Sequence, residues 1–177
     1  MIEVTYNTEI SISDIITILS FISIIVGGTF TLYKWNINLK LKRAEYIKAL
    51  CDEIGSNPKI VFYLFEYDSN WYDKEFHGNK ELESNIDYTL SYFSFICYLR
   101  NNNIITKSDF NNFRYQLERI LNNQQFKYYI YNLYHYSKGI NQPIPFVELF
   151  KYAKNNGYFD KDFWDNNSNK YPHFLNF

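Results

Sequence analysis

Between Asp14 and Lys34 the chain turns apolar. Ile15 to Leu32 (IITILSFISIIVGGTFTL) is eighteen residues without a charge. As a helix rising ~1.5 Å per residue it covers roughly 27 Å, close to the roughly 30 Å hydrocarbon core of a bilayer. Length and composition predict a single membrane-spanning helix. A secretory signal peptide needs a positively charged start, a short apolar core and a small-residue cleavage site. The residues before the run hold no Lys or Arg and carry Glu3, Glu9 and Asp14. A buried core helix is the remaining alternative, and the charge asymmetry argues against it. Lys34, Lys40, Lys42 and Arg43 follow the run closely. Cationic flanks stay on the cytoplasmic side, so the expectation is an N-terminus outside and a body in the cytoplasm, anchored in a bacterial inner membrane.

Small and polar residues within the run share a side. At ~100° per residue Ser13, Thr17, Ser20, Gly27 and Thr31 fall together, with Ser23 at the edge and the line interrupted mainly by Ile16 and Ile24. Small residues let helix backbones approach, and hydroxyls in hydrocarbon seek a neighbouring helix or water. Two readings stay open: packing of one span on another, or a polar face (Ser13, Thr17, Ser20, Ile24, Gly27, Thr31) lining a narrow pore in a ring of subunits. Both expect a homo-oligomer.

Beyond the run the pattern is helical throughout. Residues 33–54 contain no breaker, so the span is expected to continue as one long helix, stopped by Gly55-Ser56-Asn57-Pro58. Asn57 caps the next helix with Pro58 in its first turn, where a missing N–H costs nothing. Ile60, Val61, Leu64 and Phe65 form its buried face. A polar and aromatic loop is expected over 68–79. From Lys80 to Asn101 apolar positions Leu82, Ile86, Leu90, Phe93, Ile96 and Cys97 recur at three and four, the mark of a central core helix. A helix starting at Ser108 or Asp109 turns Phe110, Phe113, Leu117, Ile120 and Leu121 inward, and Asn122-Asn123 breaks it. Phe126, Tyr129, Ile130 and Leu133 carry the next one as far as Lys138-Gly139, a cation followed by a glycine stop. Pro143 and Pro145 introduce a last helix closed by Gly157. The remainder is aromatic without a period. The expected fold is therefore all-α: residues 1–33 hold the leading segment and transmembrane helix, 34–157 a cytoplasmic helical bundle, and 158–177 an aromatic tail.

Composition changes little. Tyr (18) and Phe (16) are abundant while Gly (6) and Pro (4) are scarce, the bias an AT-rich coding sequence produces, so aromatics alone do not signal binding. A net charge of −1 supplies no field for nucleic acid, and no direct nucleic-acid binding is expected. Cys51 and Cys97 lack any CxxC or Cys/His spacing and read as reduced thiols of a cytoplasmic body. His77, His135 and His173 lie in separate elements with no ligand-spaced partner; no metal and no cofactor is expected. GxSxG, HExxH, P-loop and GxGxxG motifs are absent. Helical-bundle ribonucleases carry an Arg, then four to six residues, then a His on one helix. Here Arg100-Asn101 is followed by Ile104 to Lys107, and neither Arg114 nor Arg119 has such a His. Glu66 and Glu118 are single helix carboxylates. No catalytic residue is assigned, and a non-enzyme is expected.

One span, a basic juxtamembrane helix and a helical body lacking the Arg/His pair, together with LRNNNIITKSDF at Leu99 to Phe110, give a chain that resembles the small membrane accessory proteins of type VI-B CRISPR systems, encoded beside an RNA-guided ribonuclease. The resemblance implies a degenerate HEPN-like body. It also implies a ring-shaped homo-oligomer, an octamer, whose pore depolarises the inner membrane and enhances antiphage defence in functional partnership with that ribonuclease. The same layout is similar to stand-alone abortive-infection membrane proteins. A membrane-anchored helical binding module without a pore is the reading from a different class.

Overall fold

The computed structural model describes residues 11–66 and 70–174. Glu3 and Glu9, the side chains of Phe65 and Glu66, Asp68 and the last three residues lie outside that description. All regular structure among the described residues is helical: α1 (Ile12–Ser56), α2 (Pro58–Val61) running into a π-helical turn (Phe62–Glu66), α3 (Lys80–Asn101), α4 (Lys107–Asn122), α5 (Gln124–Gly139) and α6 (Val147–Asn155), with short 3-10 turns at Phe76–Gly78 and Asp162–Trp164. Two compact units meet inside α1, between Lys48 and Ala49.

In the first unit α1 begins on a reciprocal cap. Asp14 N donates to Ser11 Oγ (3.3 Å), and Ser11 N donates back to Asp14 Oδ2 (3.0 Å). These bonds satisfy backbone donors that the first helical turn leaves open. The Ser11 hydroxyl, donating to Asp14 Oδ2 at 2.8 Å, and then the Ser11 N–H hold the Asp14 carboxyl below its usual range.

The second unit is built on α3, which packs against α2, α4 and α6. Ile86, Leu90, Phe93, Ile96 and Cys97 are wholly buried along it. From α4, Phe113, Leu117, Ile120 and Leu121 complete the same core. This helix starts one residue earlier than the pattern suggests, because Thr106 and Asp109 form a capping box that fixes Lys107 as its first residue. The Asn122-Asn123 break is a cap as well: Asn123 turns extended and accepts from Gln125 N and Phe126 N, starting α5 at once. Helices α3, α5 and α6 each close on a left-handed residue, Asn103 (φ 55°), Asn141 (φ 54°) and Gly157 (φ 71°). In each case an N–H one position later returns to a carbonyl of the last turn: Ile104 to Leu99, Gln142 to Ser137 and Tyr158 to Ala153. Ala49 to Ser56, the end of α1, belongs to this unit: Ile54 is buried, Tyr92 OH donates to Leu50 O, and Tyr88 OH donates to Glu53 Oε1 at 2.7 Å.

Two segments without periodicity turn out to be core. The loop between the π-turn and α3 drives Trp71, Tyr72 and Phe76 inward against Tyr63, Phe126 and Tyr129. Gln125 holds it, accepting from Tyr72 N (2.9 Å) and donating to Asn70 (3.1 Å). The aromatic tail wraps α5. Phe163 is fully buried and stacks on Phe159 (3.9 Å), while Tyr171 stacks on Tyr131 at 4.5 Å. Asn132, with no exposure, works as a clamp: its Nδ2 donates to Pro172 O and its Oδ1 accepts from Phe174 N, both at 2.6 Å.

His135 adds a titratable latch. It is buried, and its Nε2 donates to Phe163 O at 2.9 Å. Burial pushes its pKa below the ordinary histidine value, with the Lys138 charge adding to the effect and the Phe163 bond opposing it. Acidification therefore protonates the unfolded chain first. The His135 contribution is complete above the unfolded value near ~6.5 and is lost as pH falls from there through the lower folded value. Thermal melts of the detergent-solubilised protein are expected to drop between pH 7 and pH 5, and His135→Gln is expected to flatten that drop.

Candidate functional site

The side chains singled out by pattern all lie on the first unit. Ser13, Thr17, Ser20, Ile24, Gly27 and Thr31 stand on one continuous α-helix, exposed throughout, and no residue of its most apolar 18-residue window is buried. That helix is long and apolar enough to cross a membrane. At ~100° per residue the six share a sector of roughly 80°. Phe21, Ile22, Ile25 and Val26 are likewise about half exposed or more.

Most of the hydroxyls are already spoken for. Thr17 Oγ1 donates to Ser13 O (2.8 Å), Ser23 Oγ to Leu19 O (2.9 Å), Thr29 Oγ1 to Ile25 O (2.9 Å) and Thr31 Oγ1 to Gly27 O (2.8 Å). This back-bonding to the preceding turn satisfies each donor inside the helix, so those positions tolerate hydrocarbon without a water-filled neighbour. Ser20 is different. Among the described residues its hydroxyl has no hydrogen bond, and it sits near the middle of the apolar run. Gly27 and Gly28 follow about two turns later, and a Cβ at either would meet nothing within 4 Å. Glycine inside a helix costs about 1 kcal/mol relative to alanine, and no contact within the chain recovers it.

The basic residues form a collar. Lys34 and Lys42 fall close to the hydroxyl face, Lys40 and Arg43 on the other side of the same helix. Tyr33 and Trp35 are mostly exposed within this collar, and Lys34 lies over the Phe30 ring at 5.6 Å. Exposed aromatic rings beside lysines are typical of a helix end at a lipid headgroup layer. Tyr33 and Trp35 do not stand out in the sequence because aromatics are so common elsewhere in the chain.

In the second unit the histidines serve packing. His77 lies between Tyr72 OH (2.9 Å from Nε2) and Glu83 Oε1 (3.2 Å from Nδ1) and stacks on Tyr129, whose hydroxyl donates to Asp87 Oδ1 at 2.7 Å. Burial raises the pKa of Asp87, partly offset by the Tyr129 bond, and raises the Tyr72 and Tyr129 hydroxyls far above the ordinary tyrosine range. Burial also pushes up the Cys97 thiol. Among the described residues no group of three or more His, Cys, Asp and Glu side chains could hold a metal ion.

One concavity of the second unit combines charge with aromatic surface. A cavity of about 600 Å³ is bordered by Arg100 from the last turn of α3, Lys107, Phe110 and Arg114 from α4, and Tyr152 and Tyr158 at and beyond α6. Its cations are spread over fifteen positions of sequence and joined only by the turn at Asn103, so no local cluster announces it. No family model, curated protein or solved structure matches the chain.

Proposed function

We propose that this protein is a single-pass membrane protein that holds a helical binding module at the cytoplasmic face and self-associates through the small-residue face of α1. The observation that carries the reading is the complete exposure of the apolar stretch of α1, closed by Asp14 at one end and by Lys34, Lys40, Lys42 and Arg43 at the other. In water that surface is far larger than the few hundred Å² a soluble monomer leaves exposed. Burial in hydrocarbon removes the cost, and the cationic end sets the direction. Gly27, Gly28 and the unbonded Ser20 hydroxyl support contact between copies, since close backbone approach and an interhelical hydrogen bond use these features.

A second reading follows from the resemblance to type VI-B accessory proteins: a ring of subunits, each with a degenerate HEPN-like body, forming a pore that depolarises the inner membrane during phage infection. What favours it is the line of Ser13, Thr17, Ser20, Gly27 and Thr31 on one face, interrupted by Ile24. What weighs against it is the back-bonding of Thr17 and Thr31, which leaves little demand for water along that line.

Both readings meet in one experiment. In a Cys51→Ser background, Ser20→Cys is expected to give a disulfide-linked dimer when membranes are oxidised, while Ile22→Cys, on the opposite side of the helix, gives much less. Equal cross-linking at both positions would remove the interface. Proteoliposomes separate the two readings: the anchored module leaves an imposed potassium gradient intact, and the pore collapses it in a manner abolished by Thr17→Leu with Ser20→Leu.

A further inference from the structure

We propose that the cavity between α3, α4 and α6 binds a free nucleoside di- or triphosphate. The inference deepens the binding-module reading and rests on it. At about 600 Å³ the cavity is of the size that small-molecule sites occupy.

Its chemistry is divided in the way such a ligand is divided. Arg100, Lys107 and Arg114 supply three cations. Among the described residues neither Arg100 nor Lys107 is paired with a carboxylate; Arg100 Nη1 reaches only the Asn103 amide oxygen, at 3.4 Å. Arg114 gives its Nε to Glu118 (2.6 Å) and keeps its terminal nitrogens for another acceptor. Unneutralised guanidinium and ammonium groups around one concavity favour a multiply charged phosphate chain, which guanidinium grips through paired N–H donors. Beside Arg114 the lining is aromatic, and Tyr158 OH and Arg114 Nε both donate to Glu118 Oε1. Tyr152 and Tyr158 lie nearly parallel, 24° apart with centroids at 6.1 Å, and Phe110 leans on Tyr152 at 5.2 Å. Phe110 is buried and backs Tyr152, and the half-buried Tyr152 and Tyr158 rings are the platforms for a nucleobase. Asn111 adds an amide that both donates and accepts, as the edge of a base requires, and Asn156, whose Nδ2 donates to Tyr152 O at 2.8 Å, keeps its amide oxygen as an acceptor. The Asn101 amide is engaged by Glu148 at 2.7 Å and stays part of the frame.

Inorganic phosphate would use the cations and leave the rings idle. A nucleic-acid strand would need an extended basic track, and a chain of net charge −1 with one compact basic cavity does not provide it.

Titration calorimetry of the full-length protein in detergent tests this, with the di- and triphosphates of adenosine, guanosine, cytidine and uridine as ligands and with pyrophosphate, adenosine and a five-residue RNA as comparisons. At least one nucleotide is expected to bind saturably. Arg100→Ala and Lys107→Ala, both at positions outside the core, are each expected to weaken it about tenfold or more, the usual loss for a charge-assisted contact. Tyr158→Leu is expected to weaken the nucleotide and leave pyrophosphate unchanged. Absence of saturable binding by every nucleotide overturns the proposal, as does insensitivity to both cation substitutions. Pyrophosphate binding as tightly as the nucleotide, or the RNA binding more tightly, overturns it too. Membrane partition of the same preparations reads the anchor separately, so a failed cavity and a failed anchor are distinguishable.

Discussion

Replacing Ile22 and Ile25 together by arginine is expected to release the protein from the membrane. Both lie on the side of α1 away from the hydroxyl face, where the proposal puts lipid. Each arginine at the centre of a span costs about 2.5–3.5 kcal/mol on insertion scales, so the pair costs roughly 5–7 kcal/mol, more than a thousandfold in partition. Ile104→Arg makes the matching control. That residue is about as exposed as Ile25 (52% against 49%) but belongs to the helical body, and its substitution is expected to leave partition unchanged. Alkaline carbonate extraction reads both. Retention of the double variant in the membrane pellet would mean that α1 is not what holds the protein there.

The second large effect concerns the tail. Phe163→Ala is expected to destabilise the body by about 3–5 kcal/mol, the usual range for deleting a wholly buried aromatic side chain. Its ring touches Phe159, Tyr131 and Tyr171, and a cavity would open at their junction. Asn132→Leu attacks the same junction through hydrogen bonds. It leaves the half-buried Pro172 O and Phe174 N without their partner, at up to about 1 kcal/mol for each. Both variants are expected to melt earlier by near-ultraviolet circular dichroism while remaining in the membrane fraction. An unchanged melt for Phe163→Ala would show that the tail contributes nothing to the fold.

The tail also marks where sequence pattern stops being informative. Helices α3 to α5 were legible because Ile86, Leu90, Phe93 and Ile96, then Phe113 and Leu117, then Phe126 and Ile130 repeat at three and four, and each helix carries its own cap. Asn57 with Pro58 is a local signal that the backbone obeys, whereas Gly139 stays helical and the left-handed residue that closes α5 is Asn141, two positions on. Tyr171, Pro172 and Phe163 have no period because they are held by Tyr131, Asn132 and His135, some 28–40 positions away. Trp71 and Tyr72 are hidden in the same way: a polar-looking loop becomes core because Gln125, 53 positions on, receives the Tyr72 N–H. On α1 the hydroxyl face could be read from spacing alone. Which hydroxyls were already satisfied could not, since a threonine that donates to the preceding turn and a serine that does not are identical in pattern. The basic cavity was equally invisible, because Arg100 and Arg114 belong to different helices and only the left-handed turn at Asn103 brings them to one rim.

The central claim is that α1 crosses the membrane with its basic end and the helical body on the cytoplasmic side, and labelling by a membrane-impermeant maleimide tests it most directly. In a Cys51→Ser background, with Cys97 shielded by burial, Ser11→Cys is expected to react in intact spheroplasts, and Lys107→Cys only after the membrane is opened. Reaction of Lys107→Cys before opening, or recovery of the protein in the soluble fraction, would contradict the claim.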